Sequence, residues 1–326
     1  MDPLGVLAEE WQSLVGAAGA AAPPAIEAVD LESMRSWQSE QQDATPCANG
    51  DELAFPIDAA INARVYIFEG KIWNLRIDSI LNTTNEGMND RTGVSGQILL
   101  HAGPQLEEEI YQTEGCRTGE CRMTRAYLLP AKKIIHTVGP RYNERYVTGF
   151  HLPPASPPAW RDLLRARAAD SGPCDAAAES ALHYCYRNAL EMAVENKMGS
   201  IALPCVYTER KGYPRREAAH IAIRTVRRFM EPFSAAASAH EGTAAGASSG
   251  GGFTHVVFVV DNKGDLEIYR ELMRLYFPRN GADAQYQREN LPADVGNAKG
   301  EPVVEERQVR MFDAPSNSLR LVLRHA

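Results

Sequence analysis

The chain has 326 residues, of which 44% are hydrophobic, so it can bury an ordinary core. Its 34 Lys and Arg residues against 42 Asp and Glu residues give a formal net charge of -8, which argues against specific nucleic-acid binding driven by phosphate charge. No apolar run is long enough for a transmembrane segment, and Met1–Pro3 lack the basic-then-apolar plan of a signal peptide, so we expect a soluble cytoplasmic or nuclear protein.

Alternating strand and helix patterns fill the middle of the chain. Residues 1–53 are rich in Ala, Pro, Ser, Glu and Gln and have no sustained period, so we expect them to be mostly disordered. Between residues 54 and 278 the alternation predicts a single α/β domain with three layers, α/β/α. The predicted strands are 64–68, 77–81, 124–129, 133–138, 200–206 and 254–260, and the predicted helices are 95–103, 104–111, 178–194, 219–230 and 266–276.

Two low-complexity segments interrupt this pattern. Residues 145–173 include a Pro-rich tract, and residues 234–252 are mainly Ala, Ser and Gly, so both are interpreted as surface insertions in one domain. Beyond Pro278 the pattern lapses, which predicts an extended C-terminal tail over residues 279–326. On the helix that follows residue 215, the spacing predicts that Arg224, Arg227 and Arg228 face water.

The most informative stretch is Ile77–Asn85 with the turn Asp90–Gly96 behind it. An apolar run ends in Asn82 and Asn85, and a loop of small residues then begins a helix. A buried strand ending in polar residues, followed by a glycine loop at a helix N-terminus, can form an anion-binding site. The same residues also suit a plain strand end and turn, with the asparagines as caps, so both interpretations stay open.

Other reactive side chains show no catalytic or metal-binding spacing. Of the six cysteines only Cys116 and Cys121 are close, and no second pair completes a zinc site, so reduced thiols are expected. His136 lies in the middle of a predicted strand and is interpreted as structural. No Ser-His-Asp or Cys-His arrangement emerges, so we assign no catalytic residue, no metal site and no cofactor.

Successive motifs along the domain resemble the signatures of macro domains. The resemblance implies an α/β/α fold with a mixed central sheet that binds ADP-ribose, and some members remove ADP-ribose or acetyl groups from substrates. The residues that carry it, in chain order, are Gly70–Asn85, Gly93–Gly96, Gly115–Gly119, Lys133–Pro140 and Gly199–Pro204.

The resemblance assigns roles to individual residues. Asn85 matches the asparagine beside the distal ribose, and Asn82 matches a strand-end asparagine that we expect to brace the loop. The second phosphate loop corresponds to the segment that contains Gly212 and Tyr213. The backbone amides expected to cradle a diphosphate belong to Gly93, Val94, Ser95 and Gly96.

Three positions depart from the family pattern. Lys71 stands where an aspartate usually reads the adenine amino group, and Ser95 stands where active hydrolases have an aspartate. A neutral hydroxyl cannot act as a general base. The second loop, Tyr207–Tyr213, keeps only one glycine and adds bulk and charge, including the candidate anion contacts Arg210 and Lys211. Lys71 is a further candidate, because it could close the adenine pocket or pair with a different anion.

These observations leave three functional hypotheses. The first is a binding module for ADP-ribose, an ADP-ribosylated protein or a related phosphorylated nucleotide or sugar, without efficient catalysis. The second is a hydrolase of ADP-ribosyl or O-acetyl-ADP-ribose bonds. The third is a scaffold with a decayed pocket, whose basic residues Arg210–Arg216 contact an acidic protein or a phospholipid headgroup.

Further segments, including Lys211–Pro214 and Leu291–Val304, resemble one member of the family in which a CRAL-TRIO lipid-binding domain follows the macro domain. Too few residues follow Pro278 here for that second domain. The resemblance therefore implies a shortened form, a fragment, or a lineage without that domain.

Overall fold

The structure is a computed structural model that describes residues 25–40, 53–142, 176–206, 212–240, 254–303, 309–313 and 318–322. Its strands are β1 (Val29–Asp30), β2 (Val65–Glu69), β3 (Leu75–Arg76), β4 (Ser79–Thr83), β5 (Cys121–Arg125), β6 (Lys133–Thr137), β7 (Ser200–Pro204), β8 (His255–Val260), β9 (Val309–Asp313) and β10 (Ser318–Val322). Its α-helices are α1 (Ala59–Asn62), α2 (Gly93–Ala102), α3 (Pro104–Tyr111), α4 (Ala176–Glu195), α5 (Arg215–His240), α6 (Lys263–Tyr276) and α7 (Gly281–Asn290).

Six of these strands form the central sheet, in the order β2-β8-β7-β4-β6-β5. All neighbours are parallel except β5 and β6, so the sheet is mixed. One hydrophobic cluster joins one face of the sheet to α4, α5 and α6, and a second joins the other face to α2 and α3. The expected three-layer α/β/α fold with a mixed sheet is therefore confirmed.

Strand β8 shows why the sheet lies between two helical layers. Val256, Phe258 and Val260 belong to one hydrophobic cluster, whereas Val257 and Val259 belong to the other. Side chains alternate between the two faces of a strand, so an unbroken apolar run buries both faces. The parallel direction of the neighbouring strands brings their carboxyl ends to one edge, where the candidate site lies.

The boundary between α2 and α3 follows the predicted break. Gly103 adopts a φ of 85°, a left-handed conformation that suits glycine, and Pro104 then begins the next helix. The strand predicted over 124–129 is shifted, because β5 pairs with β6 over Cys121–Arg125. The chain then turns, with the Leu129 amide donating to the Ala126 carbonyl.

Two terminal predictions were wrong for the residues that the structure describes. Trp37, in the segment expected to be disordered, is 3% exposed, and its indole nitrogen donates to the Phe277 carbonyl at 2.8 Å. In the segment expected to be an extended tail, α7 forms and buries Gln287, which donates to the carbonyls of Phe55 and Leu275. These long-range hydrogen bonds fix both segments to the core.

Helix α5 also differs from its prediction. It continues to His240, so its backbone includes the start of the predicted insertion 234–252, whereas residues 241–253 and 143–175 lie outside the described residues. Arg224 and Arg227 do not face water: each is 2% exposed. Their guanidinium groups are paired instead with Glu179 and Glu231, which explains how a cation can be buried on this helix.

Candidate ligand-binding cleft

A cleft of about 630 Å³ lies at the carboxyl ends of β2, β4, β7 and β8. This edge of an open parallel sheet is where α/β proteins bind ligands, because loops leave the strands there and helix N-termini point toward the same space. The residues contributed by the strand ends and the segments directly after them are Gly70, Lys71, Ile72, Trp73, Thr83, Pro204, Cys205, Val259, Asp261 and Asn262.

The N-terminus of α2 forms one wall of this cleft through Gly93, Val94 and Ser95. The N-cap residue, Thr92, makes no side-chain capping bond. No described residue accepts a hydrogen bond from the amides of Gly93, Val94 or Ser95. Unpaired first-turn amides and the helix dipole together favour an anion, so this wall can bind a phosphate or a carboxylate.

Gly96 supports this wall without lining the cleft. A Cβ at this position would lie 2.2 Å from the Arg91 carbonyl oxygen, so only glycine allows the turn to approach the helix this closely. Its amide donates to the Thr92 carbonyl at 3.1 Å, which closes the first helical turn. The amide predicted to contact a diphosphate is therefore used within the protein, and the prediction for Gly96 was wrong.

Asn82 is fully buried behind the wall and does not line the cleft. Its side-chain amide donates to the Ser95 hydroxyl at 3.3 Å and to Nδ1 of His136 at 3.1 Å. The Ser95 hydroxyl in turn donates to Thr84 at 3.2 Å. These bonds join β4, β6 and α2, so Asn82 braces the loop as expected. His136 is buried, and burial lowers its pKa from 6.5 to about 4, which keeps the ring neutral at pH 7.

Asn85 is not among the residues that line the cleft. Its amide donates to the Asn89 side chain at 2.9 Å, and its own oxygen accepts from the Asn89 backbone amide at 3.0 Å. Both ends of the side chain thus stabilise the turn after β4. The ribose contact expected from the resemblance remains a prediction.

The second wall includes Gly212 and Tyr213, at the start of α5. Tyr213 is only 4% exposed, and its ring lies 5.0 Å from that of Tyr142, so it packs into the core as well as bordering the cleft. Lys71, which follows β2, is exposed, with its ammonium 5.9 Å from the centre of the Trp73 ring. Arg210 and Lys211 lie outside the described residues.

Several cleft residues were not predicted from the sequence, among them Trp73, Asn262 and Asp265. Asn262 caps α6 by accepting from the Asp265 amide at 2.9 Å, and an Arg215 nitrogen lies 3.5 Å from an Asp265 carboxylate oxygen. Asn262 and Asp265 could have been predicted, because they follow the apolar run of β8 just as Asn82 and Asn85 follow the apolar run of β4. Trp73 carried no comparable signal, and Arg215 was predicted only as a member of the basic group Arg210–Arg216.

The charge of the cleft is mixed. Lys71 and Arg215 oppose Asp90, Asp261 and Asp265, so an anion would be held mainly by the N-termini of α2, α5 and α6. Arg216, predicted to belong to a basic cluster, is engaged by two hydrogen bonds to Glu271.

Among the described residues, no group of His, Cys, Asp and Glu could hold a metal ion, and no helix could cross a membrane.

The sequence matches the family model of the macro domain over residues 81–149 and 169–222. These ranges contain the end of β4, the amino end of α2, the end of β7 and the start of α5, all of which contribute residues to the cleft. The chain belongs to the macro domain family.

Among its relatives, the chain is similar to ganglioside-induced differentiation-associated protein 2. It is 36% identical to the Mus musculus protein over 299 residues, which are 89% of this chain and 51% of that protein. It is also 36% identical to the Homo sapiens protein over 298 residues, 88% of this chain and 50% of that one. The chain therefore spans about half the length of the curated relatives it matches.

Solved structures give the same result. The crystal structure of the macro domain of ganglioside-induced differentiation-associated protein 2 matches with a TM-score of 0.57 and 32% identity, over 79% of this chain and 100% of that chain. The Trypanosoma brucei macrodomain in complex with ADP-ribose matches with a TM-score of 0.51 and 25% identity, over 83% of this chain and 90% of that chain.

Proposed function

We propose that this chain is a binding module for ADP-ribose, free or attached to a protein, and that it acts without efficient catalysis. The observation that carries the proposal is the wall of unpaired amides at Gly93, Val94 and Ser95, which borders a cleft of about 630 Å³ at the carboxyl ends of parallel strands. The family supports it further, because a macrodomain of 25% identity has been solved in complex with ADP-ribose.

The size and polarity of the cleft suit this ligand. Drug-sized ligands occupy clefts of roughly 300–1,000 Å³ that combine apolar walls with a few oriented polar groups. Here Trp73, Ile72 and Val259 supply apolar surface, while the helix N-termini supply donors for a diphosphate. The overall charge of -8 makes such local donors necessary, because the protein as a whole repels anions.

The absence of efficient catalysis is proposed from the chemistry of Ser95. Its hydroxyl is 2% exposed and engaged with Asn82 and Thr84, so it is neither basic nor free to orient water. General-base catalysis needs a group whose pKa lies near the working pH. Ser95 cannot supply it.

Calorimetric titration with ADP-ribose tests the binding proposal. We expect saturable heat for the natural chain and at least about tenfold weaker binding for Val94→Glu, because a carboxylate at this wall repels the diphosphate while remaining compatible with the helix N-terminus. Val94→Gln is the neutral control of equal size. Gln97→Glu places the same charge on the exposed part of α2 outside the cleft lining and should change the affinity by less than about threefold.

Two results would overturn the proposal. The first is the absence of saturable heat at millimolar ADP-ribose, and the second is equal affinity for Val94→Glu and Val94→Gln. Catalysis is tested separately, by incubating the chain with an ADP-ribosylated protein and measuring released ADP-ribose. We expect release at the rate of a protein-free control. Release that Asn85→Ala abolishes would replace this proposal with the hydrolase hypothesis.

A further inference from the structure

Two helices of this protein begin with the same capping arrangement. In α6 the Asn262 side chain accepts from the Asp265 amide at 2.9 Å, and in α7 the Asn280 side chain accepts from the Asp283 amide at 2.9 Å. Both aspartates are almost completely buried, with exposures of 2% and 3%. The local sequence therefore gives the two carboxylates the same position on their helices.

The two carboxylates differ in how they are paired. Asp283 accepts from Nε of Arg274 at 2.7 Å and from Nε of Arg279 at 2.9 Å, so each of its oxygens has a charged donor. In Asp265, Oδ2 accepts from the Asn262 amide, but Oδ1 accepts no hydrogen bond from any residue that the structure describes. A buried carboxylate oxygen without a donor is costly, so it indicates a missing partner.

The oxygen that lacks a hydrogen-bond donor belongs to the aspartate that lines the cleft. Asp265 lines the cleft, whereas Asp283 does not. The charged group nearest to Oδ1 is the Arg215 guanidinium, whose nitrogen lies 3.5 Å away and whose side chain is 46% exposed. Arg215 also lines the cleft, so its guanidinium can turn toward a bound anion without leaving the site.

We propose that Oδ1 of Asp265 accepts a hydrogen bond from a hydroxyl or amino group of the nucleoside part of the ligand once Arg215 turns toward the diphosphate. This inference rests on the proposed function and adds a specificity determinant to it. Among the described cleft residues, Asn262 already donates to Oδ2, and Lys71 makes no hydrogen bond or ion pair to Oδ1, since its ammonium lies over the Trp73 ring.

When a binding site has an acceptor placed for a donor group of the ligand, it rejects an analogue without that group strongly, because the buried acceptor is left unpaired. An apolar pocket discriminates much less between two similar ligands. Lys71, which has only donors, cannot replace an acceptor. The proposal therefore predicts that the cleft distinguishes ligands by one donor group, and that Asp265 is the residue responsible.

The experiment compares three ligands by calorimetry on the full chain: ADP-ribose, its 2′-deoxyadenosine analogue, and inosine diphosphate ribose, in which a carbonyl replaces the amino group. We expect one of the two analogues to bind at least about tenfold more weakly than ADP-ribose. A weaker deoxy analogue identifies a ribose hydroxyl as the donor, and a weaker inosine analogue identifies the base amino group.

Asp265→Asn provides the decisive variant. Because Asn262 still donates to the side-chain oxygen, the new amide occupies the Oδ1 position and offers a donor instead of an acceptor. We expect weaker binding of ADP-ribose and loss of the discrimination between ligands. Asp283→Asn is the matched control, since it alters the same kind of cap outside the cleft and should leave both quantities within about twofold.

The outcomes separate this inference from the proposed function. If ADP-ribose does not bind, both fail. If it binds but the natural chain treats all three ligands alike, or Asp265→Asn keeps the discrimination, the inference is overturned and the proposed function stands. Asp265→Ser serves as a second variant if Asp265→Asn does not fold, and thermal unfolding of each variant distinguishes lost structure from lost recognition.

Discussion

Asn82 and His136 lie opposite each other in neighbouring parallel strands, and the Asn82 side-chain amide donates to Nδ1 of His136 at 3.1 Å. With Nδ1 as the acceptor, the ring proton is on Nε2, which lies 2.9 Å from the Thr124 hydroxyl. The neutral imidazole thus orients the amide that also bonds Ser95 at the cleft wall. A buried histidine and the proposed anion site are connected through one asparagine.

The first prediction is that stability falls as the pH is lowered from about 6.5 to about 4. Unfolded His136 takes up a proton near 6.5, but burial lowers the pKa of the folded group to about 4. The folding stability that depends on a neutral His136 ring is therefore fully present above pH 6.5 and is lost as the pH falls to about 4. At about 1.4 kcal/mol per pH unit, this single ring accounts for at most about 3 kcal/mol. Urea unfolding between pH 7 and pH 4 measures it.

The control for this prediction is His136→Gln, which removes the titrating group. We expect the unfolding free energy of this variant to depend less steeply on pH over the same interval. His183 and His220, whose pKa values burial also lowers to about 4, should retain part of the slope. Equal slopes for the variant and the natural chain would show that His136 is not buried as a neutral ring.

The second prediction concerns two glycines at the start of α2. A Cβ at Gly96 would overlap the Arg91 carbonyl oxygen at 2.2 Å, so Gly96→Ala must displace the turn that holds the cleft wall. A Cβ at Gly93 would meet no atom within 4 Å, although its φ of 55° disfavours alanine by roughly 1–2 kcal/mol. We expect Gly96→Ala to lower the unfolding free energy by more than Gly93→Ala, as measured by urea denaturation.

Binding of ADP-ribose should also distinguish Gly93→Ala from Gly96→Ala. Because Gly93→Ala keeps the wall in place, it should retain ADP-ribose binding better than Gly96→Ala does in calorimetry. A Gly96→Ala variant as stable as the natural chain would mean that the turn relaxes without strain, and the argument for a fixed wall would then be wrong.

Much of the fold was visible in the sequence, because its signals were local. The apolar run of β8 predicted a strand buried on both faces, and Gly103 with Pro104 predicted the helix break. Helix α7 was missed because it is polar, with the buried Gln287 as one of its anchors. The partners of that side chain, Phe55 and Leu275, are far away in the sequence or on another helix, so no local pattern reveals the contact.

The candidate site was predictable only in part, for a related reason. The wall formed by Gly93, Val94 and Ser95 follows from one strand, one loop and one helix in succession. Trp73 and Asp265 face the same cleft only because β2 and β8 are adjacent in the sheet although they are far apart in the chain. Sheet order is a tertiary property, so spacing within the sequence could not bring these two residues together.

The third prediction is that Arg227 is essential for stability. Its side chain is 2% exposed, donates to Glu231 at 3.1 Å and to the Pro56 carbonyl at 2.8 Å, and lies over the Phe277 ring. Arg227→Ala should cost about 2–4 kcal/mol, because it leaves a cavity and removes the donor to the Pro56 carbonyl, whereas Glu231 keeps Arg228 as a partner. Arg270→Ala, on the exposed face of α6, should stay within about 0.5 kcal/mol in the same denaturation experiment. Similar losses for both variants would contradict the burial of Arg227.

The last prediction concerns Glu271, which connects three helices by accepting two hydrogen bonds from Arg216 and one from the Tyr286 hydroxyl. The Arg216 hydrogen bonds are the main reason that its pKa is lowered to about 2 from the usual 4.5. Glu271 therefore stabilises the fold above pH 4.5, and this contribution is lost as the pH falls to about 2. The advantage of the natural chain over Glu271→Gln in urea midpoint should be largest above pH 4.5 and shrink toward pH 2.

Because the Glu271 side chain is 39% exposed, solvent screens this interaction, and we expect 0.5 M NaCl to reduce the difference between the two proteins. Glu267→Gln, on an exposed position of the same helix, controls for the simple loss of one negative charge. If Glu267→Gln and Glu271→Gln shift the midpoint equally at every pH, the link from α5 through α6 to α7 does not stabilise the fold. Residues 281–290 would then be held by the hydrogen bonds of Gln287 and by the ion pairs of Asp283 with Arg274 and Arg279.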